Sequence, residues 1–167
     1  VTDLTLRLGG PDDIPAVALL SDRAEAARRG EPILPDYPET ATLEAMEARL
    51  KAEGSWLLLA YLGDQPVGAA LAIRARERDG AGEVIPGLFH LTTLAVEPQH
   101  WGEGVGEALL DRVVEEARSR GAHRLQLWTQ ADNLRAQLLY ERCGFRRTGR
   151  TRIDEVHGHI FHYERDV

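Results

Sequence analysis

Residues 99–106 read Gln-His-Trp-Gly-Glu-Gly-Val-Gly, between an apolar strand pattern and the most regular helix pattern in the chain. Upstream, Phe89 to Val96 reads as a strand that runs into Glu97-Pro98. Downstream, Val105, Leu109 and Val113 form one i, i+4 row and Leu110, Val114 and Ala117 are spaced as an adjacent stripe. This predicts an amphipathic helix from Val105 to Ser119. Gly102, Gly104 and Gly106 strip side chains from the junction and expose backbone N–H groups at a helix N-terminus, a place suited to phosphate. The phosphate motif is not a dinucleotide fingerprint, because Glu107 stands where GxGxxG needs its third glycine. Nor is it a P-loop, because no Gly-Lys-Ser/Thr follows. A strand, a glycine turn and a helix in that order commit the chain to an α/β layer architecture.

The remaining pattern agrees. Leu4, Leu6 and Leu8 alternate as a strand, and Pro11-Asp12-Asp13 suits a helix start that continues to about Arg28. Gly30 to Pro38 holds Pro32, Pro35 and Pro38 and reads as a loop. A second helix is expected from about Thr42, closed by Gly54. Trp56–Leu62 and Pro66–Ile73 form a hairpin about Gly63-Asp64, and the charged stretch Arg74 to Gly87 reads as a mobile loop. After the central helix come a short strand Leu125–Thr129, a helix Leu134–Arg142 stopped by Gly144, and a closing strand pair, Phe145–Ile153 and His159–Glu164. The order β-α-α-β-β-β-α-β-α-β-β predicts an α/β sandwich, a mixed central sheet flanked by helices. Trp56 and Trp128 are expected in its core.

The 167 residues suit one domain over 1–167 with one core. The net charge of −7 argues against nucleic acid, which requires a clustered positive field. Cys143 is the only cysteine, so neither an intrachain disulfide nor a cysteine-based zinc site is expected. No basic stretch followed by an apolar run opens the sequence, and no apolar run approaches a membrane span. A soluble, cytoplasmic protein without membrane partners is expected.

Two segments carry a resemblance. Gln99-x-x-Gly102-x-Gly104, preceded by Leu91 to Pro98, is similar to the Gln/Arg-x-x-Gly-x-Gly/Ala turn of the GNAT superfamily of acetyl-CoA-dependent N-acetyltransferases. Asn133 to Phe145 resembles the family's Asn-x-x-Ala-x-x-x-Tyr-x-x-x-Gly-Phe signature through Asn133, Ala136, Tyr140, Gly144 and Phe145. The match runs over about residues 55–165. It implies acetyl-CoA as co-substrate, a primary amine as acceptor, in a small molecule or a peptide, and direct transfer between them, with no metal. It further implies that Leu94, Ala95 and Val96 offer backbone groups to the pantetheine arm. The segment Gln99, Trp101, Gly102, Glu103, Gly104, Val105 and Gly106 would hold the pyrophosphate. Asn133, Ala136 and Arg142 would complete the cofactor site, and Tyr140 would protonate the leaving thiolate. Homodimers are common among such proteins, so a second copy is a candidate partner. A non-catalytic acyl-CoA sensor on the same fold is the alternative, and another acyl donor, such as succinyl-CoA, a third.

Two positions depart from the pattern: Trp101 and Glu103 stand where many relatives carry basic residues. Amides and the helix dipole then act on the pyrophosphate, with compensation expected from Arg135, Arg142, Arg146 or Arg147. His90 is a candidate base, expected on the same strand face as Thr92, Leu94 and Val96. Glu83 is the runner-up. Glu31, Asp36 and Tyr37 are acceptor-side candidates. His157, His159 and His162 read as a hairpin face or pocket wall, and Cys143 as a packing residue. Residues 1–84 carry 9 basic and 15 acidic groups against 11 and 12 in the remainder, which predicts an acidic acceptor side that attracts a cationic amine.

Overall fold

A computed structural model describes residues 3–33 and 36–167. Pro35 of the expected loop lies outside the described residues. The strands are β1 (Leu4–Leu8), β2 (Trp56–Leu62), β3 (Gln65–Arg76), β4 (Val84–Val96), β5 (Arg124–Gln130), β6 (Arg146–Asp154) and β7 (Gly158–Asp166). The helices are α1 (Ile14–Arg28), α2 (Thr40–Lys51), α3 (Val105–Ser119) and α4 (Leu134–Arg142). The strands form one sheet in the order β1-β2-β3-β4-β5-β7-β6, antiparallel except for β4 beside β5. No helix among the described residues is long and apolar enough to cross a membrane.

The stretch expected as a mobile loop is instead ordered sheet. β3 extends to Arg76 and β4 starts at Val84, with Arg76 facing Val84 and a tight turn through Asp79 between them. Charge on Arg74, Arg76 and Glu77 masked the alternation there. α2 begins at Thr40 rather than Thr42. Asp22 accepts hydrogen bonds from the Glu39 amide at 2.7 Å and the Thr42 hydroxyl at 2.6 Å, which sets the entry to that helix.

Two apolar layers sandwich the sheet. α3 presents Val105, Leu109, Leu110, Val113, Val114 and Ala117 to Leu58, Ala70, Leu91, Leu125 and Leu127, and α4 adds Tyr140 to the same cluster. On the other face, Ile14, Val17, Ala18, Leu20 and Met46 from α1 and α2 cover Leu57, Leu59, Ala69, Leu71 and Ala95. Leu71 faces Thr93 while Ala72 faces Leu91, so Thr92 is the extra residue of a β-bulge, and its hydroxyl donates to the Leu71 carbonyl at 3.1 Å.

The bulge reverses the parity of β4. Phe89 and Leu91 before it, and Leu94 and Val96 after it, all pack toward α3 and α4, whereas Ala95 packs toward α1 and α2. His90 pairs with Ile73, two residues from Leu71 on the α1/α2 face, so it lies opposite Leu94 and Val96 rather than beside them. Simple alternation from His90 to Val96 assigned the wrong face because it allowed no inserted residue.

Candidate functional site

β4 and β5 pair over only three rungs, Leu88 with Arg124, Phe89 with Leu125 and His90 with Gln126. Beyond His90 the strands part. β5 stays paired with β7 as far as Gln130, and β4 stays paired with β3 as far as Val96. A wedge-shaped gap therefore opens between the two central strands, edged by the β5-facing backbone of Leu91 to Val96. Unpaired strand backbone in the middle of a sheet is a ready acceptor and donor array for an amide-bearing chain.

The glycine turn stands at the wide end of that gap. Gly102 and Gly104 have φ of +80° and +87°, and nothing lies within 4 Å of the position where a Cβ would project from either. These glycines are set by backbone conformation, and the space outside them is open. Gly106 differs: it lies inside α3, where a Cβ would come within 2.8 Å of Leu139 Cδ2, so its bareness serves the approach of α4. α3 has no side-chain cap. By contrast, Asn133 caps α4 by accepting the Ala136 amide at 3.2 Å. The first-turn amides of α3 are thus left for an external anion.

The residues that replace the expected basic ones are both engaged. Trp101 donates its indole N–H to the Val96 carbonyl at 2.9 Å, so Val96 already gives that oxygen to the turn. The Arg135 guanidinium sits 4.5 Å from the centre of the Trp101 ring, which brings a cation from α4 to the turn. Glu103 is exposed, with Oε2 2.7 Å from Nδ1 of His100. Gln99 and Asp36 line a cleft of about 220 Å³ with Arg23 and Glu97. Arg142 and Arg146 are exposed, and Arg147 packs 3.7 Å from the centre of the Phe161 ring.

Tyr140 lies on the α3/α4 side of the sheet. Its ring is buried against Phe145 and Tyr163, with centroids 5.9 and 6.1 Å away. Its oxygen is not among the polar atoms sealed from solvent without a partner. Burial pushes the phenol pKa well above its ordinary value, so it stays protonated throughout the neutral range. That moves it further from the range of a thiol. The group is a firm hydrogen-bond donor rather than a ready proton source.

His90 stands at the last paired rung, the apex of the gap, on the opposite face. Its Nδ1 is sealed from solvent and has no hydrogen-bond partner among the described residues. Burial, with the charges of His162, Arg49 and Arg152 against that of Asp79, pulls its pKa down to about 4. The imidazole is therefore neutral at pH 7.

The three C-terminal histidines separate. His157 pairs with Asp154 at the β6–β7 turn, and His159 packs edge-on to Phe161. His162 is fully buried between Gln126 and Thr148. Trp56 is in the core as expected, but Trp128 is half-exposed on the polar face of β5, because odd and even residues of that strand meet different layers. Cys143 is buried in the α3/α4 cluster, and burial raises its thiol pKa. Glu83 and Glu31 are exposed, as is Tyr37. Sequence reading missed the bidentate pair of Arg23 with the buried Glu97, at 2.6 to 3.0 Å, which ties α1 to the end of β4. The partners are 74 residues apart, and no local pattern links them.

The Acetyltransferase (GNAT) family model matches residues 18–145, and the chain belongs to that family. Mycothiol acetyltransferase of Beutenbergia cavernae is 33% identical over 114 residues, covering 65% of this chain and 36% of that protein. The matches to the first curated relatives span between about a third and a half of their length. Among solved structures, the ribosomal-protein-S18-alanine N-acetyltransferase of Escherichia coli superposes with a TM-score of 0.74 at 20% identity, covering 98% of this chain and 94% of that one. An aminoglycoside acetyltransferase in complex with coenzyme A gives 0.73 at 24% identity, covering 98% and 94%. These structures share the fold.

Proposed function

We propose that the chain is an N-acetyltransferase that moves an acetyl group from acetyl-CoA to a primary amine by direct transfer. The observation that carries this reading is the parting of β4 from β5 after His90 and Gln126, with the uncapped α3 N-terminus at its wide end. A strand edge for an amide-bearing arm and free amides for a pyrophosphate lie along one line. That is the donor set acetyl-CoA requires, and the coenzyme A complex of a protein of like fold supports it. Acetyl-CoA, as substrate, supplies a thioester carbonyl.

The chain's residues divide the remaining work. Leu94 and Ala95 bond the pantetheine arm along the open edge. Amides from Gly102 to Gly106 hold the pyrophosphate, aided by Arg135 over Trp101. The acceptor reaches the gap from the α1/α2 face. His90, neutral at pH 7, takes the proton that the amine must lose. The amine nitrogen bonds to the carbonyl carbon, the carbon–sulfur bond breaks, and Tyr140 on the other face donates its O–H to the thiolate.

Calorimetry with acetyl-CoA and a thiol-release assay over a panel of amines test this reading. Binding of the thioester with CoA release on adding an amine is the expected result. Absence of binding at millimolar acetyl-CoA would sink it. Tyr140→Phe is expected to lower kcat by about a hundredfold with little change in acetyl-CoA affinity, and an unchanged rate removes the phenol from the reaction.

A further inference from the structure

Past their last shared rung, β4 and β5 leave the sheet at separate exits. Glu97 follows directly on Val96, and Ala131-Asp132 follows directly on Gln130. One helix is tied to both. Arg23 of α1 holds Glu97 in a bidentate pair at 2.6 to 3.0 Å. Five positions on, Arg28 donates to Asp132 at 3.1 Å. Five residues of helix rise about 7.5 Å, more than the about 4.8 Å between paired strands, so one helix can reach both exits. The last turns of α1 thus lie across the wide end of the gap on the α1/α2 face, with one arginine on each wall.

Each exit is fixed on its own side. The Glu97 amide donates to the Val67 carbonyl at 2.8 Å, and the Glu97 carbonyl accepts the His100 amide at 2.9 Å. The β4 exit is therefore continuous with β3 and with the approach to the glycine turn. On the other side, the buried Gln137 of α4 donates its side-chain amide to the Gln130 and Ala131 carbonyls, both at 3.0 Å. The Ala131 amide donates to the His159 carbonyl at 2.8 Å, so the β5 exit belongs with α4 and β7. The buried apolar residues of α1 pack on β2, β3 and β4. Arg28 reaches beyond that cover to the other half of the sheet.

The two ties differ in kind. The Glu97 side chain is 9% exposed and takes three hydrogen bonds from Arg23, whereas that of Asp132 is 80% exposed and takes one from Arg28. Arg28 is itself aligned by Glu25, with bonds at 2.7 and 3.0 Å. A buried bidentate pair is an anchor, and an exposed single contact opens and closes readily.

We propose that Arg28 and Asp132 are positioning residues for acetyl-CoA, whose bridge sets the width of the β4–β5 gap at its wide end, with the Arg23–Glu97 pair as the fixed end. The inference rests on the acetyltransfer reading, which puts the pantetheine arm and the pyrophosphate in that gap. The pair acts through the backbone of the two exits. With the bridge closed, the walls stand at the separation the arm spans. With it open, part of the population stands at other widths, and the apparent affinity falls with the competent fraction. Charge alone gives the opposite sign for Asp132: a carboxylate at the wide end repels a pyrophosphate, so its removal would tighten binding.

Calorimetry with CoA and with acetyl-CoA on the full chain, alongside initial rates, tests the bridge. Asp132→Asn is expected to weaken both ligands roughly two- to fivefold and to raise the acetyl-CoA KM to match, with kcat and the Tm of the free protein unchanged. Asp132→Glu, which keeps the charge, is expected to keep the affinity. Arg28→Gln is expected to weaken both ligands as well, and the double variant with Asp132→Asn no further than Arg28→Gln alone. Unchanged or tighter binding in Asp132→Asn overturns the proposal while leaving acetyltransfer standing. Additive losses in the double variant, or a loss in Asp132→Asn that follows a lowered Tm, do the same. A wild-type protein that binds neither CoA nor acetyl-CoA overturns both.

Discussion

The two faces of β5 and β7 are built from the same residues taken alternately, yet they differ in kind. Toward α3 and α4, Leu125, Leu127 and Tyr163 are buried in a continuous apolar cluster with Tyr140. Toward the other side, Gln126, Trp128 and His162 meet hydrogen-bonding and charged groups, because α1 and α2 pack against β2 to β4 and not against these strands. One face is an apolar layer under α3 and α4, and the other is polar. The β4–β5 gap joins them, with His90 at its apex on one side and Tyr140 on the other.

The largest effect should separate the faces directly. Leu127→Ala opens a cavity in the apolar layer and should cost about 2–5 kcal/mol in urea unfolding. Trp128→Ala, the next residue but on the opposite, half-buried face, should cost less in stability. Equal losses of stability would erase the contrast.

His90 sharpens it through pH. The folded state keeps the imidazole neutral down to about 4, whereas the unfolded chain protonates it near 6.5. The unfolded state therefore binds more protons in that window, and stability attributable to His90 is lost as pH falls from about 6.5 to 4. Against the wild type, His90→Asn should recover about 3 kcal/mol of that loss at pH 4 and nothing at pH 7.5. Parallel pH dependences in the two proteins would mean that the imidazole is solvated.

Smaller effects are expected at the turn. Gly104→Ala forces a side chain into φ of +87° and should cost about 1–2 kcal/mol, together with acetyl-CoA affinity. Arg135→Ala removes the cation stacked on Trp101 and should weaken acetyl-CoA about three- to fivefold, with a shallower salt dependence, while leaving stability within about 0.5 kcal/mol. An unchanged affinity would leave the amides as the whole pyrophosphate site.

Much of this molecule was readable before folding. The bounds Val105–Ser119 and Leu134–Arg142 follow from helical apolar spacing, with glycines on both sides of the first and Gly144 after the second, and the structure reproduces both. Trp56–Leu62 is equally plain. The extended β3–β4 hairpin was not, because charged residues there sit on the exposed side of regular strand. Nor was the face of His90, since a bulge is an inserted residue and leaves no spacing signal in a single chain. The half-buried Trp128 was misassigned for a related reason: an aromatic in a strand is core only if something covers its face.

The sequence by itself determined the element order, the glycine turn and its helix, and the two motifs that marked the family, because these depend on neighbours within a few turns of chain. Only the tertiary structure decided that Arg135 stands over Trp101, that Arg23 clamps Glu97, and that His90 turns to the α1/α2 face of the sheet. Those juxtapositions depend on which faces the helices cover and on a single inserted residue at Thr92. Both are set by packing, where a residue's partners are chosen by geometry rather than by spacing.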